Sequence, residues 1–448
     1  MPREAIFEEL RRRRSEDVDW REGKTFGYIY DAGKEIEEVA KMAYTTFLSD
    51  NALDPTVFPS LMGFENEIVA MIRAHLGGDE EVVGNFTSGG TESILLAVKS
   101  ARDFAREERG IEHPEMILPV TAHAAFHKAA HYFGVKPVIV PVDPQTFKAD
   151  VAAMRAAVTP RTALLVASAP SYAHGVVDPV REIGTLALEK DLWLHVDACI
   201  GGFLLPYFRR LGEEIPDFDF SVPGVTSLSV DLHKYAYAAK GASVILYRNK
   251  ALRRYQLFTC SSWAGYTMIN PTIQSTRSGG PMAAAWAVLN FVGDAGYLEI
   301  ARALLRGTEE IVAGIGTIPD LEILGKPEMT LIAVASERVS VFHVIDEMKA
   351  LGWYIQPQLR CGALPENFHL LIQPSNLPWT KRLIEDLAEA TARARQLPRS
   401  EVAATIGEQF REISPESLTD EMFEQMLQAA GIEGTTLPER MAEINEIL

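Results

Sequence analysis

Val230-Asp231-Leu232-His233-Lys234-Tyr235 ends one short apolar run, and Leu194-His195-Val196-Asp197-Ala198-Cys199 ends another upstream of it. Each run has the length and aliphatic content of a buried strand, and each closes on a chemically committed side chain. Asp197 and Lys234 lie 37 residues apart, room for a loop and a second strand. A lysine amine can form a Schiff base with an aldehyde, and an aspartate can keep a pyridinium nitrogen protonated. Together they supply what pyridoxal phosphate (PLP) requires to act as an electron sink. The spacing alone is a weak signal; the flanking runs make it specific.

Outward from these blocks, residues 82 to 248 alternate strand-like and helical runs. Met116 to Val120, Lys136 to Val142, Ala163 to Ser168, Trp193 to Asp197, Ser227 to Asp231 and Ala242 to Tyr247 read as strands. Thr91 to Arg106 and Val180 to Lys190 read as helices between them. The alternation predicts an α/β domain with a mainly parallel sheet covered on both faces. Ile36 to Phe47 and Phe64 to Leu76 carry helical periodicity before it. After it, Leu304 to Ile315 reads as a connecting helix. Met329 to Ala335 and Phe368 to Ile372 read as strands around a helix from Ser340 to Leu351, a smaller α+β unit. The expected division is an N-terminal arm and helix over 1–55, a large domain over 56–300, a small domain over 301–398 and an acidic helical tail over 399–448.

A chain of 448 residues with 47% hydrophobic and 23% charged content has the make-up of a globular enzyme. Its net charge of -18 argues against a nucleic-acid surface. Three cysteines without framework spacing, Cys199, Cys260 and Cys361, fit a reducing cytoplasm. No transmembrane stretch or signal peptide is legible. Arg11 to Arg14 stand among Glu8, Glu9, Glu16 and Asp17, which reads as a solvated helix rather than a basic patch.

Thr87-Ser88-Gly89-Gly90-Thr91-Glu92-Ser93 sits just before a helix, whose free N–H groups and dipole favour an anion. Alone it is as often a loop and cap; beside the lysine and aspartate blocks it becomes the place for a cofactor phosphate. His123, His127 and His131 share a helical face, but the first and last lie roughly 12 Å apart along the axis, too far for one metal ion. His123 alone, stacked flat on the cofactor ring, is the better reading, and no metal is expected.

These blocks, with Ala122 to Phe126, His174-Gly175, Asp178-Pro179, His195 to Phe203, Asp231 to Gly241 and Pro271 to Gly280, resemble the sphingosine-1-phosphate lyases. That family belongs to the PLP-dependent group II decarboxylase clan, of fold type I, and the resemblance covers roughly residues 25 to 395. It implies a large domain with a mainly parallel seven-stranded sheet and a small C-terminal domain. Lys234 would carry the Schiff base, with His233 beside it near the phosphate. Asp197 would hold the pyridinium, His123 would stack on the ring, and Gly90 and Thr91 would bind the phosphate. Ser278, Gly279 and Gly280 resemble a loop that reaches that phosphate from a partner subunit, which implies a homodimer with shared sites. Tyr30, Asn51, Tyr172 and Lys240 match substrate-facing positions, Lys240 as the receiver of a substrate phosphate. Surface charge for Lys240, and core packing for Tyr30 and Tyr172, are the structural alternatives.

The implied reaction is retro-aldol cleavage of a phosphorylated sphingoid base into a long-chain aldehyde and phosphoethanolamine. Tyr30, Tyr172 or Lys234 would relay the protons. One position departs from the pattern: the family reads Asn-Pro-Leu-His where this chain has Asn51-Ala52-Leu53-Asp54. An aspartate repels a phosphate that a histidine attracts. Arg277 or Lys240 could compensate, or Asp54 could face another substrate's cation, which keeps an amino-acid decarboxylase as the alternative.

Overall fold

The structure, a computed structural model, describes residues 1–15 and 17–397 together with residues 419, 421 and 442. The expected acidic tail therefore lies outside the described residues, apart from those three positions. Seven strands form the central sheet: β1 (Val83–Thr87), β2 (Glu115–Pro119), β3 (Lys136–Val140), β4 (Thr162–Ser168), β5 (Trp193–Asp197), β6 (Ser227–Asp231) and β7 (Ser243–Tyr247). Their order is β1-β7-β6-β5-β4-β2-β3. Pairing is parallel from β3 through β2, β4 and β5 to β6, and β7 runs antiparallel to both its neighbours.

Successive side chains of β4 enter different cores, which is why that strand is apolar without alternation. Leu164 and Val166 of β4 pack with Ile94, Leu95 and Phe126 on one face. Leu165 and Ala167 pack with Ile183 and Leu186 on the other. The helices Gly90–Arg109, Ala125–Phe133 and Val180–Lys190 supply those partners.

The reversal of β7 has a local cause. Residues 232–242 join it to β6 without a crossover helix, too short a link for a parallel return. The N–H groups of Leu232 and His233 both donate to the Ala242 carbonyl, pinching the loop shut. Lys234 stands on that pinched loop.

Beyond the sheet, β8 (Phe258–Cys260) and β9 (Met268–Asn270) form a hairpin. The helix Gly279–Ile315 follows, 37 residues long and interrupted at Gly293, whose φ of 61° no helix contains. The expected helix from Leu304 is only its last part, and the long helix packs mainly on Lys34–Thr46. A second sheet, all antiparallel, holds β10 (Glu322–Ile323), β11 (Leu331–Ala335), β12 (Gln356–Gln358) and β13 (Asn367–Leu371) in the order β10-β11-β13-β12. The helices Val341–Ala350 and Thr380–Ala394 pack against one another beside it. Among the described residues, no helix is long and apolar enough to cross a membrane.

Candidate active site

The parallel strands β4, β5 and β6 end side by side, with Ser168 opposite Asp197 and Asp197 opposite Ser229. In such sheets the carboxyl ends of the strands frame a crevice. Here the crevice is a cavity of about 340 Å³ that gathers Ser88 to Glu92, His123, Tyr172, Asp197, Cys199, Asp231, His233 and Lys234. Residues more than a hundred positions apart thus meet because the strands bearing them are neighbours.

Lys234 Nζ lies 2.9 Å from Asp231 Oδ2, and His233 Nε2 lies 3.6 Å from the same oxygen. Burial opposes the Lys234 charge, but Asp231 outweighs it and holds the pKa above the usual lysine range. Burial likewise opposes the Asp231 charge, and Lys234 with His233 outweighs it in the other direction. The Cys199 thiol, buried between Asp197 and Asp231, is pushed well up and stays protonated. His123 uses Nδ1 to accept from the Ala125 N–H at 3.1 Å, which fixes the ring at the start of the helix Ala125–Phe133. His127 and His131 are exposed on that helix, and no metal-binding group occurs among the described residues.

Tyr172 reaches the cavity from the loop after β4. Its hydroxyl donates to Gln356 Oε1 at 2.5 Å, and its ring stacks on His369 at 4.6 Å. Burial raises the phenol to about 12. Tyr30 and Lys240 do not line this cavity; they meet in an adjoining cleft, with Lys240 Nζ 4.8 Å from the Tyr30 ring centre. Burial, with Lys234 nearby, lowers Lys240 to about 8.

Asn51, Asp54, Ser278, Gly279 and Gly280 form a separate group outside the Lys234 cavity of their own chain. Asn51 bridges Ser278, and the Gly279 N–H donates to the Asp50 carbonyl at 2.8 Å. Asp54 is exposed and caps its own turn, accepting from the N–H and hydroxyl of Thr56 at 2.8 and 2.6 Å. Arg277, weighed as a receiver of substrate phosphate, instead forks onto Glu65 at 2.8 and 2.9 Å. A guanidinium held in this way is already neutralised.

Asp231 and Cys199 have places in the cavity to which the sequence alone assigns no role. The signal for Asp231 was its place three residues before Lys234, directly at a strand end. Gln356 and His369 carried no signal, because only folding brings the second sheet to Tyr172.

The cavity fits PLP. A Cβ on Gly90 would fall 2.8 Å from both Asp231 carboxylate oxygens and 2.9 Å from Cys199 Sγ, so only glycine lets the helix start enter there. No side chain caps that helix, which leaves its first N–H groups for an anion. Asp231 Oδ1 is buried without a hydrogen-bond partner, a polar atom that calls for one. Fold and cavity together place the chain among the PLP-dependent enzymes of fold type I.

Comparison with known proteins agrees. Residues 2–336 match the family model described as the pyridoxal-dependent decarboxylase conserved domain. Residues 400–448 match a model for a C-terminal HTH domain of pyridoxal-dependent enzymes. A sphingosine-1-phosphate lyase of Arabidopsis thaliana is 41% identical over 88% of this chain and 73% of its own length. Sphingosine-1-phosphate lyase 1 of Rattus norvegicus is 39% identical over 88% and 69%. A solved sphingosine-1-phosphate lyase from Burkholderia pseudomallei superposes with a TM-score of 0.85 at 39% identity, covering 93% of this chain and 96% of that one. A glutamate decarboxylase from Lactobacillus brevis shares the fold at 17% identity, with a TM-score of 0.78 over 89% of this chain and 94% of its own. The chain belongs to the pyridoxal-dependent decarboxylase family, in its sphingosine-1-phosphate lyase branch.

Proposed function

We propose that this PLP-dependent lyase cleaves a phosphorylated sphingoid base, such as sphingosine 1-phosphate, into a long-chain aldehyde and phosphoethanolamine. The observation that carries the reading is a second ammonium, Lys240, in the cleft adjoining the Lys234 cavity. Lys234 would tether the cofactor aldehyde, Asp197 would face its ring nitrogen, and His123 would cover its ring. Gly90 and Thr91 N–H groups, with His233, would hold its phosphate. When bound, PLP supplies an electron sink for the bond broken beside the substrate's amine carbon.

The chain's own residues do the rest. Lys240 receives the substrate phosphate as a point charge. A general base takes the hydroxyl proton as the carbon–carbon bond breaks, the aldehyde leaves, and the amine carbon gains a proton in return. Tyr30, Tyr172, or Lys234 after its release, would relay those protons. Both phenols are neutral at physiological pH, Tyr30 being raised well above its usual range by burial and Tyr172 lying near 12, so they act first as donors.

Ser278, Gly279 and Gly280 lie outside their own chain's Lys234 cavity, which supports a homodimer in which this loop serves the partner's site. Asn51, tied to Ser278, would face substrate there, and Asp54 beside it turns its carboxylate onto Thr56. With Asp54 so engaged, no observation favours the decarboxylase. A cytoplasmic location is consistent with the free cysteines.

Cofactor-loaded protein given sphingosine 1-phosphate should release long-chain aldehyde, and the Lys234→Ala variant should release none. Full cofactor loading without aldehyde would overturn the reading.

A further inference from the structure

No residue of the second sheet lines the Lys234 cavity, yet two of its residues hold a side chain that does. Gln356 on β12 and His369 on β13 stand directly opposite one another in register, so their side chains leave the same face of the sheet. One takes the polar end of Tyr172, accepting its hydroxyl at 2.5 Å. The other takes its flat face, the two rings 4.6 Å apart and 27° from parallel.

The backbone around Tyr172 is fixed by other means. The Ser171 N–H donates to the Val176 carbonyl at 2.8 Å, and the Gly175 N–H to the Ser171 carbonyl at 2.9 Å. Gly175, at a φ of 69°, presses against β11, where a Cβ would collide with the Leu331 carbonyl. The Glu328 N–H donates to the Gly175 carbonyl at 3.0 Å, and its carboxylate accepts from the Val177 N–H at 2.6 Å. These bonds set where Tyr172 leaves the chain but not how its side chain turns. That falls to Gln356 and His369. Burial takes the His369 pKa down to about 3, with His174 adding to the fall and the Ala173 backbone opposing it. The ring is therefore uncharged, and it backs the phenol without a charge to desolvate.

We propose that Gln356 is a positioning residue for the reaction: against the His369 ring, it fixes the Tyr172 hydroxyl at the Lys234 cavity for proton transfer. The proposal rests on the lyase reading, in which Tyr172 is one of the relay groups. An amide suits the task because it is neutral and carries both an acceptor and donors. By turning over, it stays bonded to the phenol oxygen before and after the phenol's proton moves. A carboxylate would serve the protonated phenol only. Gln356 does not line the cavity, so it acts through Tyr172. Misplacing a reacting group by about 1 Å costs up to about a hundredfold in rate.

Steady-state kinetics of the cofactor-loaded full-length protein on sphingosine 1-phosphate test it, with Tyr172 labelled as 3-fluorotyrosine in a parallel sample for fluorine NMR. Gln356→Leu should lower kcat by about tenfold or more, change KM by less than about twofold and leave the cofactor's visible absorbance intact. Added to Tyr172→Phe, it should cost less than about twofold more, because the group it positions is already gone. The fluorine resonance should broaden in Gln356→Leu and stay narrow in Gln356→Glu, which keeps an acceptor oxygen. Gln356 is only partly buried and stands on an edge strand, so Gln356→Ala keeps the test open if the leucine variant fails to fold. A rise in KM in place of the fall in kcat, a full additional loss on top of Tyr172→Phe, unchanged turnover by Tyr172→Phe, or a narrow resonance in Gln356→Leu would overturn the proposal. No aldehyde from the parent enzyme would sink the lyase reading instead, and the resonance would still decide whether Gln356 holds the phenol.

Discussion

The Asp231 carboxylate sits 2.9 Å from the Lys234 ammonium, at the end of the strand whose following loop carries that lysine. The contact holds the amine protonated and aims it into the cavity. A protonated amine is not a nucleophile, so with Lys234 as the proposed Schiff-base lysine this pair would set the pH at which the cofactor aldehyde is captured. Asp231→Asn removes the largest influence raising Lys234, leaving burial to lower it. The rate of cofactor capture in the variant should therefore rise at a lower pH than in the parent. Stopped-flow absorbance across a pH series measures this, and an unshifted profile would remove the proposed role of Asp231.

Lys234→Ala should lose both turnover and the visible absorbance of covalently held cofactor. Retention of either would mean that a different amine holds it.

Substituting Gly90 should be costly although the residue bears no reactive group. An alanine Cβ there would press on Asp231 and Cys199, and overpacking of this kind costs about 1 to 3 kcal/mol. Gly90→Ala should lower the melting temperature and weaken cofactor affinity by about tenfold or more. Equilibrium loading followed by absorbance, with a thermal scan beside it, reads both quantities.

As the proposed receiver of the substrate phosphate, Lys240 should give the substrate preference a pH signature. Its pKa lies near 8, depressed by burial and by Lys234, so its charge is present below that pH and lost above it. The kcat/KM for phosphorylated substrates should fall as pH rises through about 8. Lys240→Met should flatten that fall and raise KM chiefly for phosphorylated substrates. A variant that keeps the preference would exclude Lys240 as the phosphate receiver.

The buried fork of Arg277 on Glu65 should matter for stability rather than chemistry. Removing one partner strands the other's charge in the interior, at a cost of about 3 to 5 kcal/mol. Glu65→Ala should show this as a lowered unfolding midpoint in urea, and a change under about 1 kcal/mol would mean that solvent reaches the pair.

How much of this was legible in the sequence varies by element. The buried strands β4 to β7 announced themselves as short strand-like runs, β4 and β7 apolar almost throughout because each is covered on both faces. β1 did not. Val83-Gly84-Asn85-Phe86-Thr87 is not among the strands named from the pattern; Gly84 is required where the neighbouring strand passes too close for a Cβ, and Asn85 is a buried hub for Glu65, Arg253 and Gln256. The edge strands β10 and β12, of two and three residues, are too short to leave a period. The break at Gly293 hid the unity of the long helix, since a glycine there reads as a stop.

The sequence by itself determined the covalent chemistry. A lysine and an aspartate at the ends of two apolar runs, and a glycine-rich helix start, are local patterns whose meaning survives without coordinates. Tertiary structure decided which charges face one another. Lys234 with Asp231 is a near neighbour in the chain, but Tyr172 with Gln356 spans 184 residues and Glu65 with Arg277 spans 212. Contacts of that range depend on strand order and loop closure, which apolar periodicity does not encode. The same limit explains Asp54: its residue type signalled a change of substrate, and the fold shows its carboxylate exposed and accepting from Thr56, outside the Lys234 cavity of its own chain.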